Sequence, residues 1–183
     1  MSRLSSLRLR AEVNAQIRAF FAARGVLEVE TPMLSAGANT EPNIESFCTR
    51  FSGPLPTEGP RERWLRTSPE FALKRLLAAG IGDCYELGRV FRDGEAGRRH
   101  NPEFTMLEWY RVGWSLHELV EETCDLTARL LAHVGQRVRV RRHAYRALYR
   151  DAFGFDPFTA DLATLAAPLA DAGIQTAELS RED

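Results

Sequence analysis

The chain has 183 residues, of which 44% are hydrophobic and 27% charged, a balance suited to one globular domain or one domain with an extension. A formal net charge of -1 excludes any global attraction to nucleic acid or an anionic membrane, so an anion site has to be local. No apolar run is long enough to span a membrane and the N-terminus lacks a secretory apolar segment, so a cytoplasmic protein is expected.

Leu9, Val13, Ile17, Phe20 and Phe21 recur at three- and four-residue spacing and predict a first amphipathic helix, closed by Gly25. A strand is expected over Val26–Glu30, stopped by Thr31-Pro32 because proline cannot donate to a ladder. Residues 35–42 read as a Gly/Asn/Pro-rich loop, 45–51 as a strand, and 52–63 as a turn-rich excursion. Trp64–Thr67 is a further strand. It runs into a helix with Ser68 as N-cap, Pro69 at its first position, and Phe71, Leu73, Leu76 and Leu77 on the buried side.

Apolar alternation up to Phe91, a charged Gly-rich tip from Arg92 to Asn101, and a second alternating run from Phe104 predict two antiparallel strands joined by a long loop. Ser115-Leu116-His117-Glu118 is a capping-box pattern for the next helix, whose apolar side is expected at Leu116, Leu119, Val120, Leu126, Leu130 and Val134. Val138–Arg141 reads as an edge strand, Tyr145–Phe153 as a short helix and Leu162–Ala172 as a small Ala/Leu helix. Cys48, Cys84 and Cys124 lack metal-ligand spacing and are expected to be reduced and buried. His117, His133 and His143 are read as surface or packing residues.

Several residues admit two readings. A connecting turn takes about two to five residues, and this tip is longer, carrying Arg92, Arg98, Arg99 and His100. It is either a solvated surface or a phosphate-binding loop. Glu70, in the first turn of its helix, either complements the helix dipole or serves a ligand. Phe104 is either core or a flat stacking face. Glu108 and Tyr110 project to one side of their strand, and a carboxylate there needs a cationic neighbour or ligand.

The wording of Phe91-Arg92-Asp93 followed by His100-Asn101-Pro102-Glu103-Phe104-Thr105-Met106-Leu107-Glu108 resembles motif 2 of class II aminoacyl-tRNA synthetases of the lysyl type. Arg24-Gly25-Val26-Leu27-Glu28-Val29-Glu30-Thr31-Pro32-Met33-Leu34 looks like the motif 1 of that class, which implies a homodimer through this region. The resemblance implies ATP as cosubstrate, with Arg92 on the α-phosphate as the catalytic cation and Phe104 stacked on adenine. It also puts His100 and Asn101 on the loop and ATP, and Arg98 and Arg99 near the outer phosphates. Ser68-Pro69-Glu70 would bind the amino acid, Glu70 taking its α-ammonium, while Glu108 and Tyr110 would take the side-chain ammonium of lysine.

Thr67-Ser68-Pro69-Glu70-Phe71 and Glu108-Trp109-Tyr110-Arg111 look most like the paralogous family that modifies elongation factor P. Motif 1 begins in the first dozen residues, leaving no room ahead of it for an anticodon-binding barrel, so tRNA is not the expected acceptor. Membership of that family implies activation of lysine or (R)-β-lysine as an adenylate and transfer to a lysine of elongation factor P. The alternatives are a lysyl-tRNA synthetase-like catalytic fragment, or an inactive paralogue used for binding or dimerisation.

Two departures stand out. Gly94 occupies a position where the family commonly has Glu, with Glu95 adjacent to take over. Nothing resembles motif 3, so Mg²⁺ ligands are expected outside these residues and none within them. The expected fold is α+β, an antiparallel class II sheet with flanking helices, incomplete at the C-terminus. Residues 1–160 would be the N-terminal part of the catalytic domain and 161–183 a helical continuation, and the 183 residues alone are expected to be inactive.

Overall fold

The computed structural model describes residues 3–54 and 59–174. In chain order the elements are α1 (Arg3–Ala22), β1 (Leu27–Glu28), β2 (Leu34–Ser35), β3 (Cys48–Arg50), β4 (Glu62–Leu65) and α2 (Glu70–Ala78). They continue with β5 (Cys84–Phe91), β6 (Glu103–Tyr110), α3 (Leu116–His133), α4 (Tyr145–Phe153) and α5 (Leu162–Asp171). Two compact units result, Met1–Val138 and Arg139–Asp183.

In the first unit, β5 is the central strand of a three-stranded sheet ordered β1-β5-β6. The β5–β6 hairpin is antiparallel, with Cys84 opposite Tyr110, Glu86 opposite Glu108, Gly88 opposite Met106 and Val90 opposite Phe104. The short β1 joins β5 in parallel, so this sheet is mixed rather than wholly antiparallel. A second sheet, β2-β4-β3, is antiparallel throughout.

Because side chains alternate along a strand, the hairpin has two distinct faces. Tyr85, Leu87, Leu107 and Trp109 point one way and meet Val13, Ile17, Phe20 and Phe21 of α1, and Leu126 and Leu130 of α3. Phe21 is fully buried, stacked on Tyr85 with ring centres 4.5 Å apart and tilted against Trp109 at 5.6 Å. Burying such a ring stabilises by roughly 1.5–3 kcal/mol. The opposite face carries Cys84, Glu86, Gly88 and Val90 beside Phe104, Met106, Glu108 and Tyr110.

Some expectations are corrected. The strand after α1 shortens to Leu27–Glu28, since only these residues register with β5. Phe20 and Phe21 both lie in the chain's own core, as their place on the apolar stripe of α1 predicts. Phe71 is exposed, and of its helix only Leu73 is fully buried. On α3, Leu116 and Val120 are exposed, as is Val134 at its C-cap, while the capping box at Ser115 and Glu118 forms in both directions. Val138–Arg141 is not a strand; Val138 and Val140 are exposed, with no neighbouring strand among the described residues to pair their backbone. Cys84 is buried, but Cys48 is exposed and Cys124 intermediate, all three thiols being free.

In the second unit, α4 and α5 occur where the sequence places them. Tyr145, Tyr149, Phe153, Phe155 and Phe158 form a chain of ring contacts there. Arg146 and Arg150 both pair with Asp156. Among the described residues no helix is long and apolar enough to cross a membrane.

Candidate active site

The site is built on the face of the β5–β6 hairpin that turns away from α1 and α3. Arg92 lies two residues beyond Val90 and so continues that face. Its backbone N–H donates to Pro102 O at 2.9 Å, and the next N–H, of Asp93, donates to Glu45 O at 3.0 Å. The loop root is thereby held from both sides. The guanidinium carbon of Arg92 stands 5.3 Å from the centre of the Phe104 ring, within cation–π range. Nη1 is 3.4 Å from Glu95 Oε1. Nε is buried and has no hydrogen-bond partner among the described residues. A buried, charged donor without an acceptor is costly, and an anionic ligand would supply the acceptor.

The loop beyond Arg92 has little internal structure. Gly94 sits at φ +76°, a conformation glycine adopts without strain and other residues rarely take. Glu95 faces Arg92. Arg98, Arg99, His100 and Asn101 are exposed at the tip, where Gly97 and His100 exchange backbone hydrogen bonds.

Farther along β6, the Tyr110 hydroxyl donates to Glu108 Oε1 at 2.9 Å, as expected for two residues on one strand side. Burial pushes the Glu108 carboxyl pKa up, and the negative charges of Glu70 and Glu86 push it further; the Tyr110 hydrogen bond and Lys74 act against them. Burial and the same hydrogen bond also push the Tyr110 phenol up. Glu108 is a carboxylate short of positive charge.

Glu70 opens α2 one residue later than the sequence suggests. Pro69 takes the cap position and no side-chain cap forms in the usual register. Ser68 still contributes, since its Oγ accepts from Glu70 N at 3.3 Å. Glu70 pairs with Lys74 one turn on, a contact the sequence reading missed although the i,i+4 spacing signals it. A cleft of about 560 Å³ borders this helix start, walled by the segment from Leu34 to Asn39, Thr67, Ser68, Glu70 and Arg75. It reaches the site only through Ser68 and Glu70, because Arg92, Phe104, Glu108 and Tyr110 lie on the open sheet face outside its walls.

Behind Glu108 is a buried ion pair also missed from the sequence. Arg66 Nη2 lies 2.6 Å from Glu86 Oε1, with the two side chains 7% and 4% exposed. Among the described residues, no group of three or more His, Cys, Asp or Glu could hold a metal ion.

Residues 2–166 match the family described as tRNA synthetases class II (D, K and N). The chain belongs to this family. Among similar proteins of this class II group is the elongation factor P–(R)-β-lysine ligase of Pasteurella multocida (strain Pm70). It is 42% identical over 180 residues, 98% of this chain and 54% of that protein. The ligases of the same name from Yersinia enterocolitica and Vibrio vulnificus are 46% and 43% identical over 162 and 180 residues, covering 88% and 98% of this chain but 48% and 54% of theirs. The class II chain thus spans about half the length of the curated relatives it matches.

Proposed function

We propose that the protein is an ATP-dependent ligase that activates lysine or (R)-β-lysine and transfers it to a lysine of elongation factor P. In this reading residues 1–160 form the N-terminal part of a class II catalytic domain, with β5 and β6 in its catalytic sheet. The observation that carries the reading is the placing, on one sheet face, of an arginine with an unmet buried donor and a carboxylate without a cation hydrogen-bonded to it. Arg92 keeps a buried donor unpaired, and Glu108 is a half-buried carboxylate whose hydrogen-bond partner is a phenol. An anionic reacting centre and a substrate ammonium answer these two needs. The names of the relatives fit the same chemistry.

In the first step an oxygen of the amino-acid carboxylate attacks the α-phosphorus of ATP. The bond to that oxygen forms, the α–β bridging bond breaks, and pyrophosphate leaves. Negative charge spreads over the phosphoryl oxygens, and Arg92, fixed at the end of β5, stabilises it there. Phe104 stacks on adenine. His100 and Asn101 hold the loop against the nucleotide, Glu95 orients Arg92, and Arg98 and Arg99 reach the outer phosphates. At the other end, Glu108 and Tyr110 take the side-chain ammonium, and Ser68 and Glu70 the remaining amine. In the second step an acceptor lysine ε-amine attacks the adenylate carbonyl, forming the amide and releasing AMP. Mg²⁺ accompanies ATP in such chemistry; the described residues hold no group of three or more His, Cys, Asp or Glu that could bind a metal, and no step here passes through one.

A homodimer through the motif 1 region belongs to this reading, supported by exposed Leu4, Leu7, Leu27, Met33 and Leu34 on and after α1. A cytoplasmic setting suits three free thiols. The test is ATP–pyrophosphate exchange by the full-length protein with lysine and with (R)-β-lysine, followed by transfer to elongation factor P and to tRNA. Exchange dependent on a diamino acid, with transfer to the protein acceptor, is expected. Transfer to tRNA alone would favour a lysyl-tRNA synthetase, and no exchange at all would make the chain an inactive paralogue.

A further inference from the structure

Two carboxylates stand directly opposite each other on the site face, Glu86 on β5 and Glu108 on β6. Side chains so placed have Cβ atoms roughly 4.5–5.5 Å apart, where like charges repel. The surroundings treat the two very differently. Glu86 is 3% exposed and fully answered: Arg66 Nη2 reaches one oxygen at 2.6 Å, and the Thr31 hydroxyl donates to the other at 2.6 Å. Arg66 is itself immobilised. Its Nη1 donates to Thr31 O at 3.1 Å and to Thr31 Oγ1 at 2.7 Å, and its Nε to Arg89 O at 3.0 Å. Its backbone N–H donates to Met33 O, and its carbonyl accepts from Phe91 N–H.

Gly88 makes room for this arrangement. A Cβ there would come within 2.6 Å of Arg66 Nη2 and 2.9 Å of Glu86 Oε1, so any side chain would displace the guanidinium from its bed over β5. Among the described residues, the other groups around Glu108 supply no spare cation. Tyr110 donates to it from β6, Glu70 on α2 is already paired with Lys74, and Cys84 is a buried free thiol.

Resting on the function proposed above, we infer that Arg66, Thr31 and Glu86 are positioning residues that make Glu108, and not Glu86, the carboxylate that receives the substrate's side-chain ammonium. By consuming the Arg66 guanidinium beside the pair, Glu86 leaves Glu108 unmatched and fixes how far along β6 the ammonium sits. Thr31 lies at the end of the motif 1 segment, so that segment contributes directly to the amino-acid site.

The experiment uses the full-length protein and four variants: Arg66→Met, Glu86→Gln, Arg66→Met with Glu86→Gln, and the milder Thr31→Val. The kcat/KM for the diamino acid is followed by ATP–pyrophosphate exchange across about pH 5–9. Arg66→Met strands two facing carboxylates that share a proton, so the acid limb should rise by about one pH unit. Thr31→Val should shift it the same way by less. Glu86→Gln frees a guanidinium beside Glu108, so the limb should fall and the amino-acid KM should rise at least about tenfold, with ATP KM unchanged. The double variant should return both the limb and the KM close to wild type.

If the double variant is as impaired as the single ones and no acid limb moves, the ion pair is only a structural brace and the positioning role fails. If Arg66→Met does not fold, Thr31→Val and Glu86→Gln still decide, because unshifted limbs in both overturn the inference. Wild-type protein without amino-acid-dependent exchange would instead overturn the functional reading itself.

Discussion

Glu108→Gln isolates charge from shape at the amino-acid end of the site. The amide oxygen still accepts from the Tyr110 hydroxyl, now 2.9 Å from Glu108 Oε1, so the strand and the phenol keep their geometry. What disappears is the anion that meets the ammonium in the proposed reading. Truncating one partner of a desolvated charge pair costs roughly 2–5 kcal/mol. Glu108 is half-buried on an open sheet face, which points to the lower part of that range, about 2–3 kcal/mol, or roughly a 30- to 150-fold loss in amino-acid kcat/KM.

The pH dependence has a defined sign. Burial, reinforced by the charges of Glu70 and Glu86, raises the free Glu108 pKa, so the folded apo protein holds this proton more tightly than the unfolded chain does. Between the ordinary carboxylate value and the raised one, apo stability therefore falls as pH rises. A bound ammonium favours the carboxylate, so across that window affinity climbs with pH and binding releases up to about one proton. Calorimetric titration of the diamino acid in two buffers of different ionisation enthalpy, with ATP–pyrophosphate exchange, measures both effects on the full-length protein. An unchanged amino-acid kcat/KM in Glu108→Gln, or proton release that persists in it, would refute the ammonium role.

Arg92→Ala should do the reverse, abolishing exchange while leaving amino-acid affinity within about threefold, because in the proposed function its charge serves the phosphoryl transition state; equal loss of both, read by exchange and by direct titration, would count against it. Phe21→Ala, in the stacked core with Tyr85 and Trp109, should cost about 3–5 kcal/mol in denaturant unfolding. Arg111→Met leaves Glu122, 3% exposed in its side chain, with the Trp109 indole N–H and, as a cation, Arg24 at 3.6 Å; a loss of about 3–5 kcal/mol is expected, largely recovered by adding Glu122→Met. Leu27→Asp, at an exposed apolar position of the motif 1 strand, should convert the expected dimer to monomer in sedimentation without unfolding it.

Local rules carried much of the fold. The β5–β6 hairpin follows from alternation either side of a charged tip, and α4 from the periodicity over Tyr145–Phe153. The capping box at Ser115 is legible because it spans only three residues. Exposure was less legible. Phe71, Leu116 and Val120 fit an apolar stripe, yet which stripe finds a partner depends on where distant elements lie. Ser68 was placed one step too near the helix because Pro69 fits either the cap or the first position.

At the site, Arg92, Phe104, Glu108 and Tyr110 could be assigned to one face by counting residues in twos. The Arg66–Glu86 and Arg111–Glu122 pairs could not, since they join residues on different elements. Arg66, Glu86 and Arg111 leave a trace as charged residues beside apolar neighbours, whereas Glu122 sits among polar ones and leaves none.

These buried pairs explain why the unmatched charges matter. Among the described residues of the hairpin and its flanks, Glu86 and Glu122 are buried carboxylates and Glu108 is a half-buried one. Glu86 has Arg66 and Thr31, and Glu122 has Arg111 and the Trp109 indole N–H. An internal cation therefore accompanies each carboxylate that serves only the fold, as the cost of an unpaired buried charge requires. Glu108 has a phenol instead. Among the arginines the contrast runs the other way. Arg66 and Arg111 spend their side-chain donors on the protein, whereas Arg92 keeps a buried Nε unspent. The two deficits lie toward opposite ends of one strand ladder, from Pro102 beside Arg92 to Glu108, roughly 20 Å apart at strand rise. A long arginine and an extended diamino-acyl group can share that span. A ligand with an anionic centre at one end and an ammonium at the other cancels both deficits at once, and a diamino-acyl adenylate has that charge pattern.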